Sequence, residues 1–335
     1  MMIKNVLVTG VAGFIGFHLS LKLLREGISV TGIDNINSYY DPSLKKLRLK
    51  ILNEFAKNNN GNFTFKKVDI SSTKKIELLF ENNCFDYVIH LAAQAGVRTS
   101  LTKPFDYNKS NITGFLNILE GCRKNKPKHL LFASSSSVYG MNSSIPFTTN
   151  DNTDFPVSLY AASKKSNELM AHTYSHLYDI SITGLRFFTV YGPFGRPDMA
   201  YFKFTKAILN EQPIDIYNHG KMKRDFTYVD DIVESIYRLI PISPKLNTSK
   251  HSYAQAKFKI YNIGNNNPVT LKRFISAIEK ATNKTAIKNN LPMQAGDVPI
   301  TYANIDELIE TIKFKPTTSI EEGIKKFVQW YYDYQ

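Results

Sequence analysis

The first half of the chain alternates short apolar runs with longer amphipathic ones, and this rhythm limits the fold more than any other feature. Residues 3–9, 29–33, 63–68, 87–91, 129–133 and 181–187 read as strands, and 14–26, 73–83, 111–124 and 159–178 read as helices. Several strand runs are apolar nearly throughout, as strands covered on both faces must be. A βαβα order with such strands predicts an α/β, Rossmann-type doubly wound parallel sheet. After about residue 190 the rhythm breaks at Gly192-Pro193-Phe194-Gly195-Arg196-Pro197, and shorter elements follow. The expected division is a nucleotide-binding domain over 1–190, with 226–262 returning to it. A smaller mixed α/β substrate-binding region takes 191–225 and 263–335. Residues 58–62 and 241–259 read as solvated loops.

The first strand runs directly into Gly10-Val11-Ala12-Gly13-Phe14-Ile15-Gly16, where a helix begins. This G-x-x-G-x-x-G spacing is a variant of the dinucleotide fingerprint. Small residues let the backbone approach a pyrophosphate, and the helix start at Phe14 and Ile15 offers free N–H groups and a positive dipole end. The next strand ends at Asp34-Asn35, where a carboxylate accepts hydrogen bonds from the ribose hydroxyls of an adenosine. No arginine or lysine follows before Lys45, so nothing in the adjacent sequence would neutralise a 2′-phosphate, which favours NAD over NADP. Asp69-Ile70 follows the third strand, where an adenine edge would be read. Leu91-Ala92-Ala93 follows the fourth and is small and apolar enough for a cofactor to lie against.

Chemistry is suggested by Tyr160-Ala161-Ala162-Ser163-Lys164, which places a phenol and an ammonium one helical turn apart on one face. A tyrosine titrates near pH 10, so a base acting at neutrality needs that value lowered by roughly two to three units. Lys164 and a positive nicotinamide ring both favour the phenolate. The fifth strand ends in Ser134-Ser135-Ser136-Ser137, on the side of the sheet where ligands bind, and a hydroxyl there would bridge the sugar oxygen and the tyrosine.

These segments resemble the extended short-chain dehydrogenase/reductase superfamily in its nucleotide-sugar epimerase branch. They are TGVAGFIG, Asp34, HLAAQAGVR, SSSSVYG and YAASKK. Residues 37–41, 184–199 (GLRFFTVYGPFGRPDM), 224–228 and 291–299 (LPMQAGDVP) extend the resemblance to the UDP-glucuronate 4-epimerase family over nearly the whole chain. The resemblance implies that Tyr160 is the acid/base on the sugar 4-hydroxyl and that Lys164 lowers its pKa and binds the nicotinamide ribose. Counting back from Val138-Tyr139-Gly140, the catalytic hydroxyl falls on Ser135, with Ser136 the alternative. It places Arg224 on the diphosphate, Asp297 on the uridine ribose and Tyr217 near the uracil. Thr189 and Arg196 match residues near the sugar carboxylate, with Arg98 a further candidate; a guanidinium suits a planar carboxylate because it binds both oxygens. It also implies tightly bound NAD and a homodimer paired through the helices 111–124 and 159–178. The rivals on this reading are a UDP-glucuronate decarboxylase, a UDP-N-acetylglucosamine 4-epimerase and a catalytically inert nucleotide-sensing protein. A 4,6-dehydratase is disfavoured, because that branch has Asp-Glu after the catalytic hydroxyl residue where this chain has Ser136-Ser137.

Composition excludes several other classes. With 43% apolar and 21% charged residues among 335, the chain is neither disordered nor fibrous. Two cysteines, Cys84 and Cys122, cannot define a disulfide scaffold of this size and fit a reducing compartment. Neither they nor His90 has ligand spacing, and no metal cluster is suggested. No run of about eighteen apolar residues appears, and the start lacks a signal-peptide pattern, so a cytoplasmic protein without membrane association is expected. The net charge of +13 is scattered; its densest groups, around Lys45–Lys50 and Lys221–Arg224, are not nucleic-acid modules.

Overall fold

A computed structural model describes residues 3–246, 255–294 and 297–335. Twelve strands are described: β1 (Asn5–Thr9), β2 (Ser29–Asp34), β3 (Phe63–Lys67), β4 (Tyr87–His90), β5 (His129–Ser135), β6 (Ile182–Phe187), β7 (Thr189–Tyr191), β8 (Ile214–Ile216), β9 (Lys223–Tyr228), β10 (Phe258–Ile263), β11 (Pro268–Thr270) and β12 (Lys288–Asn290). The helices are α1 (Phe14–Arg25), α2 (Pro42–Asn58), α3 (Thr73–Glu81), α4 (Thr99–Thr102), α5 (Pro104–Tyr107), α6 (Gly114–Asn125), α7 (Leu159–Tyr178), α8 (Ala200–Leu209), α9 (Val229–Leu239), α10 (Leu271–Thr282), α11 (Asp306–Ile312) and α12 (Ile320–Tyr334).

The chain divides into two units. The first comprises Met1–Met141, Asn152–Arg186 and Val233–Tyr261, and the second Asn142–Asp151, Phe187–Ile232 and Asn262–Gln335. The first unit is built on a seven-stranded sheet in the order β10-β6-β5-β4-β1-β2-β3, a Rossmann-type doubly wound arrangement. β1 pairs in parallel with both β2 and β4 (Val8 opposite Gly32 and Ile89), so chain order reverses beside it. The ends of β1 and β4 therefore open on the crevice where such sheets bind ligands. Leu7, Val88, Leu130 and Phe132 of the sheet pack with Phe80 of α3 and Phe115, Ile118 and Leu119 of α6, all essentially buried. Alternation of sheet and helix follows from sequence: fully apolar strands need a helix on each face.

Three features depart from the sequence expectations. The stretch after Asp34 contains a seventeen-residue helix, α2, with Asp41 as its N-cap (Oδ1 accepts from Ser43 N at 2.8 Å) and Pro42 in its first turn. That cap-and-proline pair is a helix-start signal that the expectation passed over. The helix expected over 111–124 is a π-helical turn, Asn108–Thr113, continuing into α6. The loop expected over 241–259 ends earlier, since β10 begins at Phe258; residues 247–254 lie outside the described residues.

The second unit holds a three-stranded sheet, β11-β9-β7, and a two-stranded one, β12-β8. Phe226 of β9 stacks on Phe274 of α10 at 4.6 Å, and Phe327 of α12 meets Tyr201 of α8 edge-on at 4.9 Å. The fully buried Asp225 of β9 accepts from the backbone N–H groups of Asn265, Asn266 and Ala303, which knits three segments together.

Candidate active site

The glycine turn forms a cradle that fits a dinucleotide. Gly10 has φ +71°, and a β-carbon there would lie 2.8 Å from Ala92 N, the start of the loop after β4. Gly16 faces the Gly10 carbonyl so closely that a β-carbon would overlap it. Gly13 is the N-cap of α1 and supplies no capping side chain, so the first-turn N–H groups remain for an anion.

Asp34 closes β2 beside this turn and accepts from Ala12 N at 3.2 Å and Ile36 N at 2.8 Å. Burial pushes its carboxyl up, against those hydrogen bonds and the charges of Lys45 and Arg48. The sequence reading set aside Lys45 and the residues after it as too far along the chain, but α2 folds Lys45 and Arg48 back. Lys45 donates to the Asn37 carbonyl (2.9 Å) and Oδ1 (2.6 Å), and the fully buried Arg48 donates to Ala12 O and Tyr40 Oη, each at 2.7 Å. These four acceptors are neutral oxygens. At the next strand end, Asn35 Nδ2 donates to Asp69 Oδ2 at 3.1 Å. Burial opposes ionisation of Asp69, but bonds from Ser71 and Asn35 outweigh it and hold the carboxyl below its usual range. Ile70 is buried, and its carbonyl accepts from Asn117 Nδ2 at 2.8 Å.

Thr9 Oγ1 accepts from Ala92 N (3.1 Å) and shares a hydrogen bond with His90 Nδ1 at 2.8 Å. His90 stacks on Phe115 at 5.2 Å, and burial pulls it down to about 3, so it is neutral there. Leu91, Ala92 and Ala93 line the strand end partly exposed.

Tyr160 and Lys164 lie in the first turns of α7, whose N-cap Ser158 accepts from Ala161 N at 3.1 Å. The Tyr160 ring meets Tyr107 edge-on at 6.1 Å, and Tyr107 Oη donates to the Ala95 carbonyl at 2.9 Å. Lys164 is 2% exposed, and its Nζ donates to Ala133 O of β5 at 2.8 Å. Burial pulls this ammonium down to about 8, against the opposing pull of Glu168. The four serines differ sharply. Ser134 turns inward and donates to Glu168 Oε1 at 2.6 Å, whereas Ser135 ends β5 with its Oγ accepting from Ser137 N at 3.2 Å. Ser136 opens the 3-10 turn Ser136–Tyr139. The π-helical turn places Asn111 so that its Nδ2 donates to Gln94 O (3.0 Å) and Ser163 Oγ (2.9 Å), tying the 94–96 loop to α7. Nothing in the periodicity of 108–113 marked that residue.

Arg98 caps the short α4 in the first unit and is exposed. The remaining candidates belong to the second unit. Thr189 opens β7 opposite Phe226. Arg196, in the turn before α8, forks onto Asp198 through Nε–Oδ1 (3.0 Å) and Nη2–Oδ2 (2.6 Å). Tyr217 follows β8, where Leu291 N donates to Ile216 O at 2.9 Å. Arg224 Nη1 donates to Pro299 O at 3.1 Å, so the segment carrying Asp297 runs beside the start of β9. Among the described residues no group of His, Cys, Asp or Glu is arranged to hold a metal, and no helix is long and apolar enough to cross a membrane.

A model of the NAD dependent epimerase/dehydratase family matches residues 6–264. The chain belongs to that family. It is 56% identical to Protein CapI of Staphylococcus aureus over 98% of this chain and 99% of that one. It is 49% identical to a probable UDP-glucuronate 4-epimerase of Rhizobium meliloti, over 97% and 96%. Among solved structures, the UDP-glucuronic acid 4-epimerase of Bacillus cereus, in complex with UDP-glucuronic acid and NAD, superposes with a TM-score of 0.87 and 34% identity. That match covers 99% of this chain and 100% of that one.

Proposed function

We propose that this family member is a UDP-glucuronate 4-epimerase, interconverting UDP-glucuronate and UDP-galacturonate by transient oxidation at C4. The observation that carries the reading is the union, in one NAD-dependent chain, of Tyr160 beside a buried Lys164 with full-length similarity to UDP-glucuronate 4-epimerases. Gly10, Gly13, Phe14, Ile15 and Gly16 hold the pyrophosphate. Asp34 and Asn35 take the adenosine ribose, Asp69 and Ile70 the adenine edge, and Leu91, Ala92 and Ala93 line the cofactor. NAD, when bound, supplies the acceptor for the C4 hydride and later its donor.

The chain's own residues handle the proton. The Tyr160 phenolate takes the proton of the 4-hydroxyl as the C4–H electron pair leaves and the C4–O bond becomes a carbonyl. Lys164, charged and desolvated, stabilises that phenolate and reaches the nicotinamide ribose. Ser135, or Ser136 beside it, bridges the sugar oxygen and Tyr160. Once the 4-keto sugar has rotated to present its other face, Tyr160 returns the proton to the C4 oxygen as hydride is returned to C4, and the opposite configuration results. Arg224 binds the diphosphate, Asp297 the uridine ribose and Tyr217 the uracil face. Thr189, Arg196 and Arg98 act on the sugar carboxylate. The 4-ketone lies β to that carboxylate, so holding the carboxylate out of alignment keeps carbon dioxide from leaving.

The same reading includes a homodimer in the cytoplasm. α6 and α7 pack together and leave Leu116, Leu169 and Leu177 39%, 59% and 60% exposed, a row of apolar side chains that suits pairing of the two helices with those of a second copy. Incubating the protein with UDP-glucuronate, UDP-glucose and UDP-N-acetylglucosamine, with products identified by NMR, tests the activity. UDP-galacturonate is expected from the first; a UDP-pentose would make it a decarboxylase, and preference for the N-acetyl sugar would overturn the glucuronate assignment.

A further inference from the structure

One deeply buried charge of the first unit has no part in the scheme above. Glu168 lies on α7 one turn beyond Lys164, on the face that also carries Tyr160, and is 3% exposed. Its Oε1 accepts from Ser134 Oγ (2.6 Å) and Arg186 Nε (2.8 Å), and its Oε2 from Arg186 Nη2 (2.8 Å). Arg186, on β6, in turn donates Nη1 to Tyr139 Oη at 3.0 Å, with its guanidinium 4.8 Å from that ring. A buried ion pair is a poor device for stability alone, since apolar residues of similar volume commonly serve as well. Its location suggests a different purpose. Lys164 and Glu168 grip neighbouring residues of β5, the first through the Ala133 carbonyl and the second through the Ser134 hydroxyl.

We propose that Glu168 is a positioning residue for the epimerisation: fixed by Arg186 and Ser134, its carboxylate keeps the buried Lys164 charged and so keeps Tyr160 able to act as a base. This rests on the roles given above to Tyr160 and Lys164. The groups that face Lys164 are few. His90 of β4 is neutral, Tyr160 precedes it on α7, and Arg186 and Tyr139 stand behind Glu168. Glu120 of α6 is held by Arg123 and Tyr174, and Lys165 turns away to Thr153 and Asp154. Among the described residues, Glu168 therefore supplies the negative charge that acts on Lys164. Burial already draws the ammonium down to about 8 with that carboxylate present. Without it burial would act on the Lys164 ammonium unopposed, and the phenolate would lose part of its partner's charge.

The test uses the NAD-bound protein without sugar. Tyr160 is titrated by tyrosinate ultraviolet absorbance, as the difference between each protein and its Tyr160→Phe counterpart. Glu168→Gln keeps the shape and removes the charge. Its Tyr160 midpoint should rise by roughly one to two pH units, and kcat at neutral pH should fall about tenfold or more, with KM for the UDP-sugar little changed. If Glu168→Gln does not fold, Glu168→Gln/Arg186→Met removes both buried charges together, and a rise in the same direction is expected. An unmoved midpoint in the folded variant overturns the proposal, whatever happens to kcat, because a mere brace would not shift it. Since no sugar is present, a wild type inert towards UDP-glucuronate would refute the assigned activity while the midpoints still decide the role of Glu168.

Discussion

Replacing Arg196 by alanine should convert a sugar-acid enzyme into an indifferent one. Two sets of hydrogen bonds hold the loop that carries it. Arg196 N donates to the hydroxyl of the fully buried Tyr201 at 3.1 Å, and the guanidinium is held fork-on-fork by Asp198 at 2.6 and 3.0 Å. The two side chains are 22% and 30% exposed, and a pair so near solvent is worth only about 0–1 kcal/mol. A substrate carboxylate can therefore share or displace Asp198 at little cost. A charge-assisted bond from Arg196 to that carboxylate contributes roughly 1.5–3 kcal/mol, about ten- to a hundredfold in specificity. Removing the guanidinium also takes away a cation facing Asp198, and the repulsion between that carboxylate and an anionic sugar acts in the same direction. Arg196→Ala should thus lower kcat/KM for UDP-glucuronate by at least tenfold more than for UDP-glucose. Arg196→Ala/Asp198→Asn should recover the part due to repulsion. The assay is a pair of specificity constants for each variant, with product NMR to detect a decarboxylated UDP-pentose. Equal losses on both sugars would refute the reasoning and leave Arg196 a loop brace or a diphosphate ligand.

Tyr160→Phe deletes only the titrating oxygen, so turnover should largely vanish while NAD and UDP binding stay near wild type by calorimetry; near-normal turnover would remove Tyr160 as the base. The protein should purify with NAD in close to one equivalent, because the catalytic cycle returns the hydride; NADP released on denaturation would contradict the reading of Asp34. Acid should destabilise the fold through buried neutral histidines. His129, whose Nδ1 meets Ile240 O at 3.1 Å and Nε2 meets Thr183 Oγ1 at 2.8 Å, is pulled down to about 4 by burial, and His90 to about 3. Their folded pKa values lie below the unfolded value near 6.5, so the stability they confer is present above that pH and lost as pH falls towards 4, roughly 3 kcal/mol for His129. Asp225, pushed up to about 6 by burial, works the other way. Urea midpoints between pH 7 and 5 should therefore fall more steeply in wild type than in His129→Asn; parallel slopes would exclude the histidine.

Sequence alone determined what depends on neighbours along the chain. Apolar runs of strand length marked β1, β2, β4, β5 and β6 to within two residues at each end, and helical spacing marked α7 over its whole length, Leu159–Tyr178. The glycine turn, Asp34 and the Tyr160–Lys164 spacing were legible for the same reason: their geometry is set by one strand end, one turn or one helical repeat. Tertiary structure decided what depends on strand order. Thr9 meets His90 across 81 residues because β1 lies beside β4, and Glu168 meets Arg186 because β6 follows β5 in the sheet. Lys45 and Arg48 reach Asp34 only because α2 folds back over the glycine turn, although linear distance had set them aside. Residues 142–151 join the second unit through pairings such as Phe147 with Ala303. A hydrophobic period states which face of an element is buried; it carries no record of which distant side chain waits on the other side, and the cations that act on Asp34 and the Arg186 that fixes Glu168 are of that kind.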